Sequence, residues 1–108
     1  MLAYTKPMVL WNTLTRQKDP LPKPSRGKSL RLFVCGPTVY DYMHIGNART
    51  FAVFDIFVRY LRHKGIRVTY LQNMTDIDDK IIVRAEREHM TAREIARHYE
   101  KEFKKDVK

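Results

Sequence analysis

Apolar positions along the chain fall into several short runs and one long one. Met8–Leu14 (MVLWNTL) is a short apolar run and reads as a strand. Asp19–Lys28 (DPLPKPSRGK) carries three of the five prolines, which forbids helix, so it reads as a loop. Leu30–Cys35 (LRLFVC) is apolar apart from one Arg and is bounded by Ser29 and Gly36-Pro37. Its length and its β-branched and aromatic content predict a buried strand. Gly46–His63 reads as a helix. Phe51, Ala52, Phe54, Ile56, Phe57, Val58, Tyr60 and Leu61 leave it few polar faces, so it is expected to be largely buried. Gly65 stands where a helix stop belongs. Ile66–Leu71 alternates and is rich in β-branched residues, which predicts a second strand. Strand, helix and strand within about 42 residues make the βαβ unit of a parallel α/β sheet.

Two amphipathic stretches follow. Asp78–Glu88 reads as a helix, and Thr91-Ala-Arg-Glu94 is a capping box that opens another. That last helix places Ala92, Ile95, Ala96, Tyr99 and Phe103 on one face, and the face needs a partner surface. No internal repeat is present.

With 108 residues, a single domain is expected. It divides into a basic segment with its proline-rich loop (1–29), a βαβ core (30–82) and a helical extension (83–108). No run of 18 apolar residues exists, which argues against a membrane span. Met1–Leu10 lacks the pattern of a secretory signal. The one cysteine excludes an internal disulfide and suits a reducing, cytoplasmic setting. The formal net charge is +9. Residues 1–31 hold seven basic and one acidic residue, 32–83 hold six and five, and 84–108 hold eight and six. The excess concentrates near the N-terminus, where it either meets phosphates of RNA or nucleotide or only solvates the surface.

Candidate chemistry concentrates in Gly36–Asn47 (GPTVYDYMHIGN). This turn follows the first parallel strand, where open α/β sheets place ligands. It leads into a helix N-terminus, whose free N–H groups and dipole favour phosphate. His44 and Asn47 share a helical face and both can donate to a phosphoryl oxygen. Gly46 leaves room between them. Neither GxGxxG nor GxxxxGK[ST] is present, which argues against a dinucleotide enzyme or a P-loop NTPase. Asp76, Asp78 and Asp79 suggest either a Mg²⁺ site or, more simply, helix capping. His63, His89 and His98 read as surface residues. Tyr40 and Tyr42 either line the pocket or pack, and Asp41 is a candidate turn cap.

The run FVCGPTVYDYMHIGNARTFAVFD (Phe33–Asp55) resembles the signature of class I cysteinyl-tRNA synthetases, with His44-Ile-Gly-Asn47 in place of that family's HIGH element. Tyr70–Ile82 (YLQNMTDIDDKII) and Leu10–Arg16 (LWNTLTR) resemble two further blocks of the family, in the same order. The resemblance implies an incomplete Rossmann-type (HUP-like) parallel sheet, the N-terminal portion of such a catalytic domain. It implies ATP-dependent activation of cysteine and transfer of the cysteinyl group to its tRNA. Pro37, Thr38, His44, Gly46 and Asn47 match ATP-binding positions, with His44 and Asn47 catalytic. Gly36 and Thr75 match positions that contact the cysteine substrate. Cys35 matches one of four ligands to zinc, a metal whose bond to the substrate's sulfur would reject serine. Magnesium is expected to accompany ATP.

Members of this family are longer. The KMSKS element and the family's other zinc ligands, a Cys, a His and a Glu, have no counterpart in these residues. The resemblance therefore implies a truncated product, a fragment, or half of a split enzyme that needs a complementary chain, in each case inactive alone. Two alternatives stand beside it. One is the related cysteine ligase of mycothiol synthesis, against which Pro37–Asp41 and Asn47 speak. The other is a nucleotide- or RNA-binding module without catalysis.

Overall fold

A computed structural model describes residues 7–108. The first six residues of the basic segment lie outside the described residues. The element order is β1 (Val9–Asn12), β2 (Gln17–Pro20), β3 (Leu30–Val34), α1 (Ile45–His63), β4 (Val68–Gln72), α2 (Asp79–Glu88) and α3 (Ala92–Asp106).

β1 and β2 form an antiparallel hairpin, with Val9 opposite Pro20 and Asn12 opposite Gln17. The expected loop therefore begins later than the prolines suggest, because Asp19 and Pro20 are strand residues. Asp19 explains the difference. Its Oδ2 accepts from Asn12 Nδ2 at 2.8 Å and from Thr15 Oγ1 at 2.6 Å, which fixes the hairpin register. Those hydrogen bonds, Thr15's first, also hold the Asp19 carboxyl below its ordinary pKa. Pro20 ends its strand, a position where a missing N–H costs little.

β3 and β4 pair in parallel, with Leu30 opposite Val68 and Val34 opposite Gln72. α1 crosses between them and packs against β4. Helix α1 ends as the sequence predicts: Gly65 takes φ 77°, its N–H bonds Arg62 O at 2.9 Å, and Ile66 N–H bonds Leu61 O at 3.0 Å. The expected burial of α1 is not met. Only Val58 and Leu61 are buried, while Val53, Ile56 and Tyr60 are exposed. The reason lies in the layer beneath. A two-stranded sheet is narrower than the apolar girth of the helix, so it covers one stripe only. The far face of the sheet is also open, and its cross-strand neighbours Phe33 and Leu71 are both about 60% exposed.

The continuous core lies elsewhere. Val39 of the turn, Ile81 and Ala85 of α2, and Ile95, Ala96 and Tyr99 of α3 form one buried cluster, flanked by Tyr40, Met74 and Ala92. The partner surface that the last helix needs is therefore α2 together with the turn. The capping box is complete: Thr91 Oγ1 accepts from Glu94 N–H at 3.2 Å, and Thr91 N–H donates to Glu94 Oε2 at 2.8 Å. The radius of gyration of 18.0 Å exceeds the roughly 13 Å of a compact chain of about this length, as a molecule with one sealed and one open part should. Among the described residues no helix is long and apolar enough to cross a membrane.

Candidate functional site

Beyond β3 the chain keeps company with the chain beyond β4. Thr38 and Thr75 form a parallel bridge, in which Thr75 N–H donates to Pro37 O at 2.9 Å and Val39 N–H to Thr75 O at 3.1 Å. Gly36 makes this approach possible. Its N–H donates to Asn73 Oδ1 at 2.8 Å, and a Cβ at Gly36 would stand 1.7 Å from Asn73 O. The missing side chain thus admits Asn73's backbone. Val39 then drops into the core and anchors the middle of the turn.

Arg84 holds the far end of the turn. From α2 its Nη1 donates to Asp41 Oδ2 at 3.0 Å, its Nη2 to Tyr99 Oη at 2.6 Å, and its Nε to Glu88. One guanidinium so ties the turn to both C-terminal helices. Burial pushes the Tyr99 phenol above its ordinary pKa, against the opposing charge of Arg84. Tyr42 packs edge-on against Tyr99, with ring centroids 5.2 Å apart. Asp41 Oδ1 accepts from Tyr42 N–H at 2.8 Å, the expected local cap.

His44 is the N-cap of α1. Its Nδ1 accepts from Gly46 N–H at 3.1 Å and from Asn47 N–H at 3.4 Å. Two of the helix N–H groups expected to meet a ligand are therefore taken by His44 itself. With Nδ1 accepting, Nε2 is the ring nitrogen able to donate outward. Gly46 suits this cap, since a Cβ there would stand 3.0 Å from the imidazole. Asn47 follows in the first turn with its side-chain amide free of any partner among the described residues.

A cleft of about 480 Å³ opens where these parts meet. Gly36, Pro37, Thr38, His44 and Asn47 line it, joined by Tyr40, Asp41, Tyr42, Lys80 and Phe103. Thr75, Gly46 and Cys35 do not line it. Thr75 is one bridge away, Gly46 is behind His44, and Cys35, expected as the last strand residue, lies just past β3 with an exposed, free thiol 3.7 Å from Gly36 O. Among the described residues no three His, Cys, Asp or Glu side chains stand together as a metal site. Cys35 is therefore a single donor here. Asp78 is the N-cap of α2, accepting from Lys80 N–H at 2.9 Å, so it serves the capping role. Lys80 is the cleft residue that sequence reasoning missed. Its Nζ stands 5.4 Å from the Tyr40 ring centroid. Only the return of the chain from β4 brings it there.

A parallel βαβ unit with a polar cleft at the carboxyl ends of its strands, fed by a capped helix start, defines a ligand-binding α/β domain. A family profile described as tRNA synthetases class I (C) catalytic domain matches residues 21–108. The chain belongs to this family. It is 52% identical over 99 residues to the cysteine–tRNA ligase of Thermococcus kodakarensis, covering 92% of this chain and 21% of that protein. It is 51% identical over 96 residues to that of Clostridioides difficile, covering 89% and 20%. A third relative, from Nitratidesulfovibrio vulgaris, is 50% identical over 100 residues, covering 93% and 20%. The chain thus spans about a fifth of the length of these curated relatives.

Proposed function

We propose that these residues form the first part of the catalytic domain of a cysteine–tRNA ligase and that the cleft receives ATP. The observation that carries this reading is the helix cap. His44 turns Nδ1 toward the start of α1 and so frees Nε2 as a donor, with the Asn47 amide one turn along and the positive end of the helix behind both. In the reaction the cysteine carboxylate attacks the α-phosphorus of ATP. A carboxyl oxygen–phosphorus bond forms, the bond to the β-phosphate bridge breaks, and pyrophosphate leaves. A 3′-terminal hydroxyl of tRNA then takes the cysteinyl group and releases AMP. His44 and Asn47 donate to phosphate oxygens on which charge grows. Lys80 adds a cation at the cleft wall.

Cysteine is read as lying beside Gly36 and Thr75. Thr75 has spent both backbone groups on the bridge, so its hydroxyl is what it offers. Cys35 suits one donor position of a zinc site completed by the rest of the enzyme. Zinc there would bind the substrate thiolate and reject serine. No step depends on it here. A magnesium ion accompanies ATP in this reading, and the reaction is cytoplasmic.

The test is cysteine-dependent ATP–pyrophosphate exchange in a complete ligase carrying these residues. Asn47→Ala should lower exchange by roughly 10²–10³-fold with ATP binding affected less. Exchange at the parent rate would remove Asn47 from the site. Exchange that is equal with serine, or independent of any amino acid, would remove the cysteine assignment.

A further inference from the structure

Helix α3 buries Ile95, Ala96, Tyr99 and Phe103. Its outer side carries Arg93, Arg97, Lys101, Lys104 and Lys108, four, four, three and four residues apart and all exposed. That spacing places them in one row along the helix. No acidic residue lies inside the row, which Glu94 and Glu100 flank. Lys104 reaches Glu100 at 2.5 Å, but Arg93, Arg97, Lys101 and Lys108 form no ion pair among the described residues. Arg97, Lys101, Lys104 and Lys108, with Lys105 and the single acid Glu100, also border one surface depression of about 440 Å³. Like charges four apart repel one another within a helix. The row therefore opposes folding, and Glu100, paired with Lys104 and near Arg97, and Glu102, near Lys101, offset only part of it. No large apolar side chain is exposed between Arg93 and Lys104. Exposed Ile77 and Ile82 adjoin Arg93 and Arg97 at one end and Val107 adjoins Lys108 at the other, so the middle of the row lacks the apolar and aromatic anchors on which protein interfaces depend. A line of five cations with no anchor between its ends matches a line of phosphates, bound by charge and not by base.

We propose that the Arg93–Lys108 row is a docking surface for an RNA backbone. It lies on the side of α3 away from the buried cluster, so it positions RNA and takes no part in phosphoryl chemistry. The proposal deepens the reading of the chain as part of a tRNA ligase, and rests on it for the identity of the RNA.

Binding of a fluorescein-labelled RNA hairpin of arbitrary sequence to this 108-residue chain, followed by anisotropy across a range of KCl concentrations, tests it. Arg97→Gln with Lys101→Gln should weaken binding about tenfold at low salt and flatten the log–log salt slope by about 1.4–1.8, the share of two phosphate contacts. Glutamine keeps helix propensity, and unchanged circular dichroism confirms the fold. Lys101→Gln alone should give about half the slope change. A hairpin of scrambled sequence should bind equally. An unchanged slope overturns the proposal. So does an equal loss from Lys18→Gln with Lys23→Gln, which would mean bulk charge alone. Competition by polyglutamate as strong as by RNA would assign the row to an acidic polypeptide instead. Amino-acid-dependent exchange in the complete ligase separates the two readings, because adenylation needs no RNA. Normal exchange with an unchanged RNA slope sinks the row alone, whereas absent exchange in the parent sinks the ligase reading alone.

Discussion

The two halves of this molecule use apolar residues very differently. Around α2 and α3, a few side chains do all the sealing: Ile81 and Ile95 are wholly buried, and Val39 ties the cleft turn to them. In the β3–α1–β4 layer apolar residues are more numerous, yet Phe33, Val53, Ile56 and Leu71 remain exposed. Coverage, and not apolar content, decides which part is sealed. The cleft lies at the junction, with its turn moored to the sealed half through Val39 and Arg84 and its helix start belonging to the open half. Phe51 of α1 and Phe103 of α3, with ring centroids 5.4 Å apart, join the halves.

The sharpest way to break this contrast is truncation at matched side chains. Ile81→Ala or Ile95→Ala should cost about 2–5 kcal/mol in urea unfolding. Ile56→Ala, on the open side of α1, should stay within about 0.5 kcal/mol. Similar costs for Ile56 and Ile81 would erase the distinction. Next comes Gly36→Ala, which forces a methyl against Asn73's backbone oxygen and should cost about 1–3 kcal/mol or more, with Asn73 amide exchange accelerated. A neutral result would mean that the two strand ends separate freely.

The hydrophobic pattern showed β3, β4 and all three helices plainly: β4, α2 and α3 by their period, β3 and α1 by the length of an apolar run and the stop signals that bound it. Thr91–Glu94 is legible since its capping box is purely local. β2 was hidden by the prolines that follow it, and its register depends on a carboxylate seven residues from its partner Asn12. The exposure of α1 was equally hidden, for an all-round apolar helix says nothing about how wide its supporting sheet is. At the site, Gly36, Pro37, Thr38, His44 and Asn47 lie close in sequence and were readable together. Lys80 and Arg84 reach the same turn only through the tertiary path. The capping role of His44 was also missed, because an imidazole is not among the usual helix caps.

A smaller effect concerns acid. Hydrogen bonds from Thr91 hold the Glu94 carboxyl below its ordinary 4.5, and hydrogen bonds from Lys104 and Lys105 lower Glu100 and Glu102. A carboxylate with a depressed folded pKa stabilises the fold above its unfolded pKa and loses that contribution as pH falls through the folded one. The helicity of α3 should therefore hold at neutral pH and decline below about 4.5. Glu94→Gln should flatten part of that decline in a circular dichroism titration. An identical titration curve would mean that the cap contributes nothing.

The central claim is that His44 holds the start of α1 with one ring nitrogen and serves the reaction with the other. Comparing His44→Asn with His44→Ala in a complete ligase carrying these residues tests it most directly. Asparagine retains a capping side chain, whereas alanine loses about 0.5–2 kcal/mol of helix capping. Neither retains an imidazole donor. Both variants should lose cysteine-dependent ATP–pyrophosphate exchange by roughly 10²–10³-fold, with only the alanine variant melting lower. Near-parental exchange in His44→Asn would contradict the account, because the imidazole would then be a cap and nothing more.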